Sequence, residues 1–220
     1  MEYSKSDHVL IAAKALINAV PIVGSPVASL INDCVPLSSQ RSIATTLEIL
    51  ADRLGNLEDR VDLKSLNKDE FADLYKSCFV VAARTSDATK QRAAANLLMN
   101  ILLAPGDALK ISYTELDHFA RCLETLSSGA LAALGAATAI VRIQNISPNA
   151  QGNYRLNFDQ ARQKLNEMAP TLLMGLTGEL HTYSLLRIAS QPPIATENFG
   201  NYPLELTSLG WRFVTHVIEA

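Results

Sequence analysis

The stretch from Ala15 to Asn32, ALINAVPIVGSPVASLIN, carries no charged residue, and any fold for this chain has to shelter it. Its length approaches the roughly 20 apolar residues that cross a bilayer. Its content points elsewhere, because Pro21, Gly24 and Pro26 interrupt a spanning helix in its middle and Asn18, Ser25 and Ser29 dilute it. The pattern predicts a helical hairpin over residues 8–36. One helix ends near Val20, a Pro-Ile-Val-Gly-Ser turn follows, and a short helix starts at Pro26 with Ser25 as its cap. The apolar faces of such a hairpin need cover from the rest of the protein, a membrane or a partner.

The remainder of the composition is that of a globular protein. Hydrophobic residues make up 48% of 220 residues, enough for a core without disulfide staples. The net charge of -3 gives no general attraction to nucleic acid or anionic lipid. Cys34, Cys78 and Cys122 lie far apart in apolar helical contexts and read as buried free thiols of a reducing compartment. The absence of a signal-peptide pattern makes a cytoplasmic location the expectation, with the inner membrane face as a peripheral one.

Downstream of the hairpin, Ile43, Leu47, Leu50, Leu54, Leu57 and Val61 recur at alternating spacings of four and three, the rhythm of a coiled-coil seam. An amphipathic helix over 39–62 is expected, with Gly55 as a place to bend. Its stripe serves either packing inside a bundle or association between chains. Asn67-Lys-Asp-Glu70 is a capping-box pattern before a stripe of Phe71, Leu74, Tyr75, Cys78 and Val81. The run KQRAAANLLMNILL leads to a stop at Pro105-Gly106, Thr114 is the expected cap of the next helix, and Ala130 to Val141 is apolar all round, as a central helix is. Residues 146–157 turn polar and rich in Gly, Pro and Asn, marking a boundary. A short helix to Met168, a longer one over 171–189 and a loop at 191–203 with up to two strands complete the chain.

No pattern for catalysis, a metal or a cofactor stands out. Cys-x-x-Cys, His-Glu-x-x-His, Gly-x-Ser-x-Gly and the phosphate-loop pattern do not occur, and no small-molecule ligand is indicated. The acid-imidazole neighbours Asp117-His118 and Glu179-Leu-His181 are one and two residues apart, spacings that do not share a helix face. An enzymatic site would have to be assembled from distant residues, and a convergence of His181 with carboxylates would be its sign.

Two resemblances add to this reading. Phe71-Ala-Asp-Leu-Tyr75, the KQRAAANLLMNILL run with Ala95-Asn96-Leu97-Leu98, and TELDHFARCLETLS with Phe119 to Leu126 together resemble the abortive-infection alpha (Abi-alpha) proteins of bacterial phage-defence loci, over about residues 69–134. The resemblance implies a role in arresting infected cells and supplies no catalytic residues. Farther on, Tyr202-Pro-Leu-Glu-Leu-Thr-Ser-Leu-Gly-Trp-Arg-Phe213 is similar to the passage from wing to last helix in winged-helix domains, over residues 158–220. That likeness implies an alternative role in nucleic-acid binding, with His181, Arg187 and Arg212 as contacts. Arg155, Arg162, Lys164, Arg187 and Arg212 stand against Asp159, Glu167, Glu179, Glu197, Glu205 and Glu219, so this region has no basic excess of the kind a duplex selects.

The expected architecture is therefore mainly all-α: a multi-helix bundle over 1–145 that includes the apolar hairpin, and a small winged-helix-like part over 158–220 with at most two short strands. The expected function is a non-enzymatic interaction protein of phage defence. It would act through a protein partner or self-association along the 43–61 stripe, and through membrane contact by the hairpin.

Overall fold

The computed structural model describes residues 37–62, 64–188 and 202–219. The expected hairpin at 8–36, Cys34 and most of the loop at 191–203 lie outside the described residues. Those described form a mainly helical protein with eight α-helices and one small antiparallel sheet. They divide into two compact units, one of residues up to Glu124 with His216–Ile218, the other of Thr125–Thr215 with Glu219.

The first unit contains α1 (Leu37–Asn56), α2 (Lys68–Arg84), α3 (Ala88–Leu102) and nearly all of α4 (Tyr113–Thr125). Helices α1, α2 and α3 pack on one another. Short polar side chains start them where the sequence changes from polar to periodic. Asn67 Oδ1 accepts from the amides of Asp69 and Glu70, and Asp87 Oδ1 from those of Thr89 and Lys90, replacing partners the first helical turn lacks. At α4 the capping oxygen is that of Ser112, which lies 3.3 Å from the Glu115 amide, two residues before the expected Thr114. Ala93, Ala94 and Ala95 are fully buried, their small side chains suiting close packing of α3.

Helix α1 is shorter than its apolar rhythm predicts. It ends at Asn56, one residue beyond Gly55, and a 3-10 turn covers Glu58–Arg60. Val61 has left the helix altogether and forms an antiparallel bridge with Leu103, flanked by bonds from Asp62 N to Leu102 O and from Ala104 N to Arg60 O. Arg60 then grips Asp107 with both edges of its fork, Nε to Oδ2 at 2.8 Å and Nη2 to Oδ1 at 2.6 Å. That guanidinium holds the Asp107 carboxyl down to about 2. Two buried asparagines on successive turns of α3 satisfy backbone that no ladder reaches: Asn96 Nδ2 donates to Val217 O at 2.7 Å, and Asn100 bonds both Leu109 O and the Ile111 amide.

The second unit runs α5 (Ser128–Ile143), β1 (Tyr154–Asn157), α6 (Phe158–Lys164), α7 (Pro170–Thr182), β2 (Leu186–Ile188), β3 (Pro203–Leu206) and α8 (Ser208–Phe213). A π-helical turn, Val214–Ile218, continues the last helix. The sheet order is β1-β3-β2, antiparallel throughout. Three strands stand where at most two were expected, and two of them fall outside the expected loop. β1 occupies the end of the polar stretch read as a boundary. β2 occupies the last residues of the long helix expected over 171–189. That helix stops at Thr182, and Ser184 takes a left-handed turn with φ 57 that releases Leu186 to pair with Leu206.

Helix α5 packs against α6, α7, β1 and β3, consistent with its apolar circumference. Leu134, Phe158, Leu173, Leu180, Leu206 and Phe213 are essentially sealed from solvent, each such side chain contributing about 1.5–3 kcal/mol by burial. Asn157 closes a reciprocal capping box with Gln160 at the start of α6.

Candidate interaction site

The apolar stripe of α1 is divided between buried and half-buried positions. Ile43, Leu50 and Leu54 are buried, whereas Leu47, Leu57 and Val61 are half-buried. Ile43 and Leu47 line a narrow apolar crevice with Tyr75, Cys78, Phe79 and Leu98. The inner part of the stripe therefore faces α2 and α3 of its own unit.

Cys78 and Cys122 are buried thiols that form no disulfide. Burial pushes the Cys78 thiol up and the Cys122 thiol up to about 12, which keeps both protonated at neutral pH and poor as nucleophiles or metal ligands. His118 Nε2 stands 3.5 Å from Cys122 Sγ, and Asp117 pairs with Arg121 at 2.7 Å. Among the described residues no group of three or more His, Cys, Asp or Glu side chains is placed to hold a metal ion.

In the second unit Glu179 accepts from the amide and the hydroxyl of Ser127, the N-cap of α5. His181, two residues on, is exposed, with its Nδ1 3.5 Å from the Ile188 amide. The two side chains of the Glu-Leu-His element are thus drawn to different partners. Trp211 stacks on Tyr154 at 4.8 Å between centroids, and the Arg142 guanidinium lies 5.2 Å from the Trp211 ring centroid.

Two surfaces of the second unit bear on the expected roles. The first is the outer face of α7, PTLLMGLTGELHT, which holds neither Lys nor Arg. Leu172 is 55% exposed on it, and Gly175 shares its face at the i,i+3 spacing. The second is one row across the sheet. Arg155, Glu205 and Arg187 are register partners on β1, β3 and β2. Arg155 Nε lies 3.3 Å from Glu205 Oε1, and Arg187 Nη1 lies 4.0 Å from Oε2.

No family model, curated protein or solved structure matches this chain. Of the three basic residues expected to touch nucleic acid, Arg187 is drawn toward Glu205, His181 closes α7, and Arg212 lies exposed on α8. From the sequence Leu172 is one apolar position of the helix expected over 171–189 and Arg187 a candidate nucleic-acid contact; neither the exposure of Leu172 nor the sheet row is visible there. The row did leave a trace there: Tyr-Arg-Leu, Leu-Arg-Ile and Leu-Glu-Leu each set one charge between apolar residues, the period of a half-buried strand.

Proposed function

We propose that this chain is a non-enzymatic interaction protein of bacterial phage defence, as its Abi-alpha resemblance implies, and that its second unit engages a protein partner through α7. The order helix, strand, helix, helix, strand, strand, with β3 central, supports a winged-helix-like reading of that unit. In such a unit α7 stands where a duplex-reading helix is expected. The observation that carries the proposal is the outer face of α7, which presents Leu172 at 55% exposure and no Lys or Arg. A helix that enters a groove among phosphates needs cations, and each neutralised phosphate adds to affinity and to its salt dependence. An exposed leucine with adjacent glycine suits an apolar protein surface instead.

The test is plating efficiency of phage on bacteria that express the chain. Protection is expected from the wild type and lost with Leu172→Asp, whose exposed side chain leaves the fold intact by circular dichroism. A low-salt gel shift of duplex DNA that Arg187→Ala weakens would overturn the proposal in favour of the nucleic-acid reading. The membrane half of the expectation rests on the chargeless sequence at 15–32 alone. Among the described residues no helix is long and apolar enough to cross a membrane. Liposome flotation of the whole chain, with and without residues 1–36, decides it: equal flotation removes the membrane role.

A further inference from the structure

We infer that the row Arg155–Glu205–Arg187 is a docking surface for an acidic segment of a partner protein. The inference rests on the protein-partner reading above and names the partner's chemistry. Its physical basis is an arrangement of two cations about one anion. Glu205 is the central member in register, and its side chain is only 10% exposed, against 80% for Arg155 and 55% for Arg187. The Glu205 side chain is thus covered while both arginine side chains are largely open to solvent. Neighbouring strands lie about 4.8 Å apart, so the backbones that carry the two arginines are separated by about 10 Å.

Each guanidinium has five N–H donors in a planar fork, and the edge nearest Glu205 uses only part of them. The row keeps a net charge of +1; Arg155 hydrogen-bonds Glu205 and Arg187 lies within ion-pair distance of it, which biases both forks toward the carboxylate. Restraint matters for binding, because an ordered side chain loses less entropy when a ligand arrives. Planar forks match carboxylates in bidentate geometry. Two forks that converge on one carboxylate, 3.3 and 4.0 Å from its oxygens, leave outward N–H edges for the acidic side chains of an extended segment.

A nucleic acid would fit this surface less well. Two arginines supply few of the phosphate contacts that specific duplex binding draws on, and the neighbouring α7 adds no Lys or Arg.

The experiment is fluorescence anisotropy of a labelled oligo-glutamate peptide with the full chain, at low and moderate salt. Binding that weakens with salt is expected. The double variant Arg155→Ala/Arg187→Ala should weaken it about tenfold or more, as the loss of charge-assisted hydrogen bonds implies. Double replacement by lysine should recover only part of it, since lysine keeps charge without the fork. Glu205→Gln is the sharpest arm: simple attraction predicts tighter binding from the added positive charge, whereas a row ordered by Glu205 predicts weaker binding. Unchanged affinity in the double alanine variant, or tighter binding by Glu205→Gln, would overturn the inference. An arginine-dependent dimer in sedimentation would also overturn it, by making a second copy the occupant. Those results leave the protein-partner reading standing if Leu172→Asp still abolishes protection. Preference for a duplex over the peptide would end both. Urea midpoints of every variant separate lost binding from lost folding, and either single arginine variant replaces a double that fails to fold.

Discussion

Glu179 and Ser127 form a pair in which a carboxylate on α7 covers the start of α5. Oε1 accepts the Ser127 amide and Oε2 its hydroxyl at 2.8 Å, while Ser127 Oγ itself accepts from the Ala130 amide at 3.1 Å. A carboxylate beside a helix N-terminus also meets the positive end of its dipole. Glu179→Ala should therefore destabilise the second unit by about 1 kcal/mol, the pair being partly solvated. Ser127→Ala should cost about the same. The double variant should lose less than the sum, because the two side chains share one interaction. Urea unfolding midpoints measure all three, and strict additivity would show the pair to be uncoupled.

Asn100 carries the loop after α3. Its Nδ2 donates to Leu109 O at 2.7 Å and its Oδ1 accepts the Ile111 amide at 3.0 Å, so one buried side chain substitutes for two backbone partners. Asn100→Leu removes both and leaves the Ile111 amide, at a residue only 6% exposed, without that acceptor. The expected loss is about 2–3 kcal/mol, the cost of orphaned buried groups. Hydrogen exchange should rise first over residues 105–112. Protection unchanged in that loop would refute the assignment.

The cap and stripe of α2 were legible because Asn67 stands where polar sequence meets an apolar rhythm. Ser112 was missed in favour of Thr114 because both can cap and the backbone decides between them. Leu57 and Val61 misled in a different way. Their spacing continues the α1 stripe, but the chain leaves the helix after Asn56, and Val61 pairs with Leu103. The Tyr-Arg-Leu alternation alone is too short a sign of β1 within a polar stretch, since what makes a strand of Tyr154–Asn157 is Pro203–Leu206, which lies about fifty positions on. The sheet row depends on the same distant pairing. Its three charges acquire a relationship only when β3 lies between β1 and β2.

Asp107 confers a pH dependence on the first unit. Its carboxyl is held down to about 2, first by the Arg60 hydrogen bond and then by the Leu109 amide, compared with about 3.9 in an unfolded chain. A group whose native pKa is depressed contributes its full share of stability above the unfolded value and loses it as pH falls through the native one. The Asp107 contribution should therefore be constant down to about pH 4 and vanish toward about pH 2. Asp107→Asn should lower the Tm at neutral pH and flatten that acid limb. Equal acid slopes in the variant and the wild type would show that Arg60 and Asp107 do not act as a pair in solution.

Gly210 is the tightest position in the second unit. A Cβ there would stand 2.0 Å from Leu185 O and 2.8 Å from Leu185 C, and both are backbone atoms that no rotamer change moves aside. Three residues earlier Thr207 caps the same helix: Oγ1 accepts the Gly210 amide at 2.9 Å, lies 2.7 Å from Ser184 O as donor, and its backbone amide reaches Leu185 O at 3.2 Å. The Leu-Thr-x-x-Gly element thus docks α8 onto the turn between α7 and β2, and the glycine is what permits the approach. Gly210→Ala should cost about 3 kcal/mol, the upper end for a forced overpacking. Thr207→Val, which keeps the shape and loses the hydroxyl, should cost about 1–2 kcal/mol through the cap. Thr207→Ser should cost less than Thr207→Val, because the capping oxygen remains. Thermal melts of the three variants rank these effects. A Gly210→Ala protein as stable as the wild type would mean that α8 does not sit against Leu185.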